Sequence, residues 1–159
     1  MTREYWDKKH TNDYSRKDWA DKASIFSVQV VKFFPRTGNI LEIGTGQGGD
    51  ANYFQSLGYT VTATDYSGQA LESAKSKVDN VKFVNIDTAN GLPFPDETFD
   101  VVYSHMALHY FDKETTRKVF EDIHRILKSY GILATITNTG ETYKDEIKTL
   151  VRYVGRKIK

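Results

Sequence analysis

A run of glycines follows the first strongly apolar segment of the chain. Gly44, Gly46 and Gly48 come directly after residues 39–43, Asn-Ile-Leu-Glu-Ile. Glycines at such a turn let the backbone bend sharply and let a ligand approach it closely. Together with Gly49, the turn also matches the G-x-G-x-x-G dinucleotide pattern. The turn therefore indicates either a ligand site or an ordinary connection between a strand and a helix.

Three carboxylates flank this turn. Asp65 lies 21 residues after Gly44, at the end of the next apolar segment. A carboxylate there can accept hydrogen bonds from both hydroxyls of a ribose, or it can cap the following helix. Glu42 and Asp50 lie on either side of the glycines. They oppose a pyrophosphate and suit a ligand with sulfonium and ammonium charges, although Asp50 could simply interact with its own helix dipole.

A second group of reactive side chains follows the apolar segment 99–104. His105, His109 and Tyr110 lie just beyond it. A histidine there could act as a general base near neutral pH if an acceptor must lose a proton. The alternative is that these side chains only pack or form hydrogen bonds in the loop. Their spacing predicts no zinc site, because the chain lacks H-E-x-x-H and any cysteine.

Helical and strand patterns alternate along the chain that carries these residues. The predicted strands are residues 39–43, 59–64, 81–86, 99–104 and 132–137. The predicted helices are residues 18–34 and 50–57, two helices capped by Ser67 and Asp112, and a last helix over 140–159. Strands that alternate with helices predict a doubly wound α/β fold with a mainly parallel sheet. In that fold ligands bind beyond the carboxyl ends of the strands, where all these side chains lie.

Composition narrows the class of protein. The chain has 159 residues, a net charge of +1 and no cysteine. These values predict one domain without disulfides, and they give no indication of a nucleic-acid partner. The N-terminus is too polar for a signal peptide and no apolar run approaches membrane length, so a cytoplasmic protein with no membrane partner is expected.

Several motifs in register resemble those of class I S-adenosylmethionine (SAM)-dependent methyltransferases. Residues 40–48 resemble motif I and residues 61–67 the second motif. Residues 81–87 and 92–105 resemble the third and fourth motifs. Residues 125–133 resemble the R-x-L-K-P-G-G motif that follows. The Leu-His-Tyr sequence at 108–110 is similar to that of the small-molecule methyltransferases in this class, of the methyltransferase-domain 11 and 25 type.

This resemblance implies a Rossmann-like sheet with strand order 3-2-1-4-5 and SAM as the cofactor. It implies a place at the methionine end of SAM for Glu42, Gly44, Thr45 and Gly46. It implies that Asp65 holds the ribose, and that the adenine contacts Tyr66, Ile86, Asp87 and Thr88. Ser104 and His105 would lie beside the methyl group, with His105 and His109 as candidate catalytic residues. Residues 1–37 would form a lid over the core at 38–137, or an apolar segment packed on the sheet.

The expected activity is methyl transfer from SAM to a small molecule. An RNA or protein methyltransferase and an inactive SAM-binding module remain alternatives, and an NAD-dependent oxidoreductase is the least favoured. The family usually continues with two more strands, one of them antiparallel, and the sequence predicts neither. Strand 132–137 is therefore expected to be an exposed edge, open to self-association, to another partner or to a missing part of the chain.

Overall fold

The computed structural model describes residues 1–17, 19–143 and 147–158. Its helices are α1 (Arg3–Asn12), α2 (Ile25–Val30), α3 (Gly49–Ser56), α4 (Gly68–Lys75) and α5 (Lys113–Ile126). Its strands are β1 (Asn39–Ile43), β2 (Thr60–Asp65), β3 (Lys82–Asn85), β4 (Phe99–His105), β5 (Leu127–Tyr143) and β6 (Ile147–Arg156). Short 3-10 turns occupy Tyr14–Arg16, Val31–Phe33, Thr88–Asn90 and Leu108–Tyr110.

The strands form one sheet in the order β3-β2-β1-β4-β5-β6. The first five strands are parallel, whereas β6 runs antiparallel to β5. The predicted α/β class and the order 3-2-1-4-5 are therefore confirmed. Each of the first four predicted strands agrees with the structure to within one residue at either end.

The central strands are buried on both faces, as in other sheets covered by helices. On β1, Ile40 belongs to an apolar cluster with Phe54 of α3, while Leu41 belongs to a second cluster with Ile123 of α5. Ser67 and Asp112 cap α4 and α5 as predicted, accepting hydrogen bonds from the amides of Ala70 and Thr115. These caps and clusters place the loops that follow β1, β2, β3 and β4 along one edge of the sheet.

The predicted helix over 140–159 is wrong. Residues 147–156 form β6, and residues 144–146 lie outside the described part of the chain. The apolar residues of this segment fit a helical spacing, but the segment is rich in β-branched residues and the free edge of β5 offers unpaired backbone groups. β6 pairs with β5 from Ile132↔Arg156 through Thr137↔Val151. A sixth strand is thus present, and the edge 132–137, expected to be exposed and open to self-association, is covered within the chain.

The N-terminal helix prediction also needs correction. The predicted start at Asp18 lies outside the described residues, and the helix itself, α2, begins only at Ile25, after Ser24 caps it. Instead, Arg3–Asn12 forms α1, a largely polar helix that is not predicted above, with Thr2 as its cap. In the described residues, no helix is long and apolar enough to cross a membrane.

Candidate active site

The glycine turn connects β1 to α3 in a left-handed backbone conformation. Gly44 and Gly46 have φ of 77° and 56°, values that residues with a Cβ atom adopt at a cost. A Cβ atom at Gly44 would also collide with the side chain of Ala107. The amides of Gly44 and Thr45 donate to the carbonyl of Thr64 on β2, at 2.8 and 2.9 Å. The turn is therefore fixed against β2 by hydrogen bonds and packs closely on Ala107.

Asp65 joins this turn to the loop after β2. Its Oδ2 accepts from the amide of Gly46 and its Oδ1 from the amide of Ser67, each at 2.8 Å. Burial raises the pKa of Asp65, and the two backbone hydrogen bonds act in the opposite direction. Ser67, and not Asp65, caps α4. The Asp65 carboxylate is thus held at the tip of β2, facing the glycine turn.

Glu42 lies beneath the turn and is fully buried. Its Oε2 accepts a hydrogen bond from Oγ1 of Thr45 at 2.8 Å. Burial raises the pKa of Glu42 well above its ordinary value, and the charge of Asp50 adds to this effect. With Asp65, these residues place three carboxyl groups around one glycine turn, a setting that attracts a cationic ligand.

Asp50 has a second role, which the sequence alone does not predict. Its carboxylate accepts hydrogen bonds from the amide of Ser24 at 2.6 Å, from Oγ of Ser24 at 2.9 Å and from the hydroxyl of Tyr103 at 2.7 Å. Burial raises the pKa of Tyr103, so the phenol stays protonated and donates. Asp50 therefore ties the cap of α2 to β4. A signal for this contact in the sequence is Tyr103, a tyrosine inside the apolar segment 99–104 and two residues before His105.

The two predicted catalytic histidines occupy different elements. His105 is the last residue of β4, with its Nδ1 3.7 Å from Oδ2 of Asp50. Burial lowers the pKa of His105, and Asp50 acts in the opposite direction. His109 lies in the following 3-10 turn, with its ring 4.0 Å from that of Tyr110. His105 therefore lies at the carboxyl end of β4, whereas His109 lies beyond it.

The residues predicted near an adenine lie along the loop after β3. The Asp87 carboxylate accepts from the amide of Ala89 and from Nδ2 of Asn90, and so caps its own turn. Ile86 and Thr88 are buried beside it. A surface pocket of about 430 Å³ opens next to Asp87. Ile86 and Asp87 line this pocket, and no residue of the glycine turn does.

Tyr66 and Ser104, which were also predicted to contact the cofactor, differ in exposure. Tyr66 follows Asp65, and the guanidinium of Arg3 lies 4.9 Å from the centre of its ring. Ser104 is fully buried, and its Oγ donates to the carbonyl of Ile43 at 3.0 Å. Its hydroxyl is thus used between β4 and β1, and a contact with a ligand stays a prediction.

Helix α1 covers the loops that follow β1 and β2. The sequence does not predict this helix. His10 is buried with its Nδ1 3.3 Å from Nε2 of Gln47, and its ring lies over Gly46. Asp7 accepts from Oγ of Ser67 at 2.5 Å. Trp6 meets the ring of Tyr110 at 4.9 Å. The positions 6, 10 and 14 share one helical face, and this spacing of Trp, His and Tyr is the signal that could have revealed α1.

A family model described as a methyltransferase domain matches residues 41–135, more than half of the chain. The chain belongs to this family. It is a class I SAM-dependent methyltransferase domain by its motifs, its family match and its strand order. Its cofactor is SAM, so the family match decides between the two ligands that the glycine turn left open.

Relatives of this methyltransferase domain are longer proteins. An uncharacterised methyltransferase of Synechocystis is 33% identical over 97 residues, covering 61% of this chain and 45% of that protein. The malonyl-[acyl-carrier protein] O-methyltransferase of Enterobacter lignolyticus is 30% identical over 102 residues, covering 64% of this chain and 39% of that protein. The chain thus spans less than half the length of these two relatives.

Solved structures agree with the fold of the methyltransferase domain. A SAM-dependent methyltransferase from Mesorhizobium loti matches with a TM-score of 0.63 at 24% identity, covering 70% of this chain and 52% of that chain. The residues around the glycine turn fit SAM as a cofactor. The glycines let a ligand approach the backbone closely, and the three carboxyl groups suit its positive charge. Across residues 1–17, 19–143 and 147–158, no cluster of three metal-ligating side chains is found.

Proposed function

We propose that this domain transfers a methyl group from SAM to a small-molecule acceptor at the carboxyl edge of the sheet. The observation that carries this proposal is the position of Asp65. Its carboxylate is hydrogen-bonded to Gly46 of the turn and to Ser67 of the next loop. A carboxylate has about four acceptor positions, so two backbone donors leave it able to accept from ribose hydroxyls.

The cofactor would extend along the loops after β1, β2 and β3. We assign the methionine end to Glu42, Gly44, Thr45 and Gly46, and the adenine end to Tyr66, Ile86, Asp87 and Thr88. A cation bound at this end would lower the raised pKa of the buried Glu42 and so favour its charged form, which in turn attracts the cation. Burial between the glycine turn and the Asp87 loop would hold the long ligand in one orientation, which is the main requirement of an in-line displacement.

Helix α1, within the proposed lid of residues 1–37, would close over this cofactor. It contacts Gln47 through His10, Ser67 through Asp7 and Tyr110 through Trp6. A cofactor that lies between α1 and the glycine turn must enter by displacement of α1. The same helix would exclude water from the reacting groups once it has closed.

The acceptor would bind beside His105, His109 and Tyr110. SAM, when bound, supplies an activated methyl group on a sulfonium, so the protein's contribution is alignment and, for some acceptors, removal of a proton. A relative named malonyl-[acyl-carrier protein] O-methyltransferase supports an oxygen atom as the methyl acceptor. A malonyl carboxylate needs no base, so this name does not decide which kind of oxygen is methylated here. The half-exposed ring of His105 is well placed for proton removal.

Calorimetric titration with S-adenosylhomocysteine and with NADH tests the cofactor assignment. We expect binding of S-adenosylhomocysteine alone, and a loss of about tenfold in affinity or more in Asp65→Asn, the scale of hydrogen bonds to a charged group. Asp79→Asn is the matched control, since Asp79 is an exposed carboxylate outside the site. Binding of NADH without S-adenosylhomocysteine, or an unchanged affinity in Asp65→Asn, would contradict the proposal.

A further inference from the structure

A buried polar group joins three separate parts of the chain beneath the acceptor region. Ser24 caps α2, Asp50 lies in the first turn of α3, and Tyr103 and His105 lie two residues apart on the same face of β4. The side chain of Asp50 is only 6% exposed, whereas that of His105 is 37% exposed. The carboxylate is therefore on the protein side of the imidazole, and the imidazole is on the solvent side.

The carboxylate cannot turn away from the histidine. Its two oxygens accept three hydrogen bonds, two from Ser24 and one from Tyr103. The ring of Phe26 stacks on Tyr103 at 5.6 Å and on His105 at 6.2 Å, and so limits rotation of both rings. The arrangement is rigid, with Nδ1 of His105 facing Oδ2 of Asp50 at 3.7 Å.

The group that faces one ring nitrogen influences which tautomer of a histidine is present. The 3.7 Å between Nδ1 of His105 and Oδ2 of Asp50 is longer than a hydrogen bond, so the carboxylate acts here through its charge. Here it favours the proton on Nδ1, which leaves Nε2, on the opposite side of the ring, as a hydrogen-bond acceptor. The carboxylate also stabilises the imidazolium that forms when Nε2 takes a proton. Burial of His105 keeps its ring neutral before the reaction. These are the properties of a general base.

We infer that Asp50 is the positioning residue of a general base, His105, and that the acceptor is a weakly acidic hydroxyl such as a phenol or an enol. In the step, the acceptor oxygen forms its bond to the methyl carbon while its proton passes to Nε2. The carbon–sulfur bond of the sulfonium breaks, and its electron pair stays on sulfur. The proton leaves His105 to water after the product departs. This inference rests on the proposed methyl transfer.

The chemistry of the base selects this class of acceptor. Neutral amines and thioethers attack through a free lone pair, and a carboxylic acid is already ionised at neutral pH, so none of them needs a base. An aliphatic alcohol is a much weaker acid than a phenol, so it is the poorer match for an imidazole base. A phenol, with a pKa of about 10, loses its proton to a neighbouring histidine as the bond to carbon forms.

Nitrogen-15 NMR of the imidazole rings tests the positioning role directly. The chain has four histidines, and His105→Gln identifies the resonances of His105. We expect the Nδ1-protonated tautomer in the wild type and a mixture of tautomers in Asp50→Asn. The pKa of His105 should fall in Asp50→Asn, which removes the stabilising charge. It should rise in Tyr103→Phe, which removes one donor from the Asp50 carboxylate.

Tyr103→Phe keeps the test valid if Asp50→Asn does not fold. If Asp50 serves only to anchor Ser24, neither variant will move the tautomer or the pKa of His105, and the inference fails. Binding of S-adenosylhomocysteine is measured on the same samples. If the wild-type protein does not bind S-adenosylhomocysteine, the proposed function is wrong. If it binds normally but His105 is a mixture of tautomers in the wild type, this inference alone is wrong.

Product formation tests the acceptor class. S-adenosylhomocysteine release is measured with 4-nitrophenol, 4-cyanophenol and phenol, and with benzoate, benzylamine and methyl phenyl sulfide for comparison. We expect turnover of the phenols only, with kcat for phenol itself, the weakest acid of the three, lowered at least tenfold in His105→Gln at an unchanged affinity for S-adenosylhomocysteine. Turnover of the amine, carboxylate or sulfide in preference, or no turnover of any phenol, would overturn the acceptor class.

Discussion

The two sides of the candidate site are built from contacts of very different range. The cofactor side, residues 42–48, 65–67 and 86–91, is held by contacts such as Glu42–Thr45, Asp65–Ser67 and Gly46–Asp65, with sequence separations of 3, 2 and 19. The acceptor side, residues 24–26 and 103–110, depends on Asp50–Tyr103 and Ser24–Tyr103, with separations of 53 and 79. Local motifs therefore define the first side, and tertiary packing defines the second.

This difference predicts how each side responds to substitution. A change on the cofactor side should act through backbone conformation and charge at the turn itself. A change on the acceptor side should act through the docking of α2 and α1, although α1 also contacts the cofactor side through His10.

Gly44→Ala tests the point where the two sides touch. The new Cβ atom would require a strained left-handed backbone and would collide with Ala107, so we expect a loss of about 3 kcal/mol or more in the free energy of unfolding. Gly58→Ala is the control, because Gly58 shares the positive φ but has open space around it. Its cost should be about 1 kcal/mol. If the two variants unfold at similar urea concentrations, Gly44 and Ala107 are not in close contact.

Docking of α1 should weaken in acid. Burial lowers the pKa of His10 below the ordinary value of 6.5, so the unfolded chain binds more protons than the folded one as the pH falls from that value. Stability is thus lost on acidification, and we expect about 1 kcal/mol less loss in His10→Gln. The fluorescence of Trp6, in a Trp19→Phe background, reports undocking of α1. Identical pH profiles with and without His10 would contradict the account.

Glu42→Gln should separate stability from cofactor binding. Because burial raises the pKa of Glu42, the folded chain binds more protons than the unfolded one, and its stability falls as the pH rises through the raised pKa. The variant avoids this loss, so at and above neutral pH we expect it to be more stable by about 1 kcal/mol. Its affinity for S-adenosylhomocysteine should fall. Thermal unfolding at several pH values checks the first effect and calorimetry the second; a variant that binds normally would show that Glu42 is outside the cofactor site.

Lys118→Gln should change the free energy of unfolding least. Lys118 forms an exposed i,i+4 ion pair with Glu114 on α5, away from both sides. Exposed pairs of this kind contribute about 0.5 kcal/mol or less. Urea denaturation should show a change within that limit, with unchanged binding of S-adenosylhomocysteine. A larger effect on binding would mean that α5 communicates with the site.

The same difference in contact range explains what could be predicted from the sequence. The glycine turn, the carboxylate after β2 and the cap at Ser67 are each encoded within a few residues, and the structure has them where the pattern predicted them. The parallel strand order followed from the family resemblance and from the alternation of elements. These features needed no knowledge of distant parts of the chain.

The misassigned elements are those whose structure depends on a distant partner. Residues 147–156 carry a spacing compatible with a helix, and their pairing with β5 decides in favour of a strand. Helix α1 is polar apart from the face that carries Trp6 and His10, and its burial comes from contacts with Gln47, Ser67 and Tyr110, which are distant in the sequence. Ser24 likewise becomes a cap in a network with Asp50.

An amide NMR titration with S-adenosylhomocysteine tests the central claim, that the cofactor lies along the loops after β1, β2 and β3 beneath α1. We expect the largest shifts at Gly44, Gly46, Tyr66 and Ala89, with further shifts in α1. Shifts confined to the opposite end of the sheet, near Tyr130 and Gly131, or no shifts at the glycine turn at saturation, would contradict it.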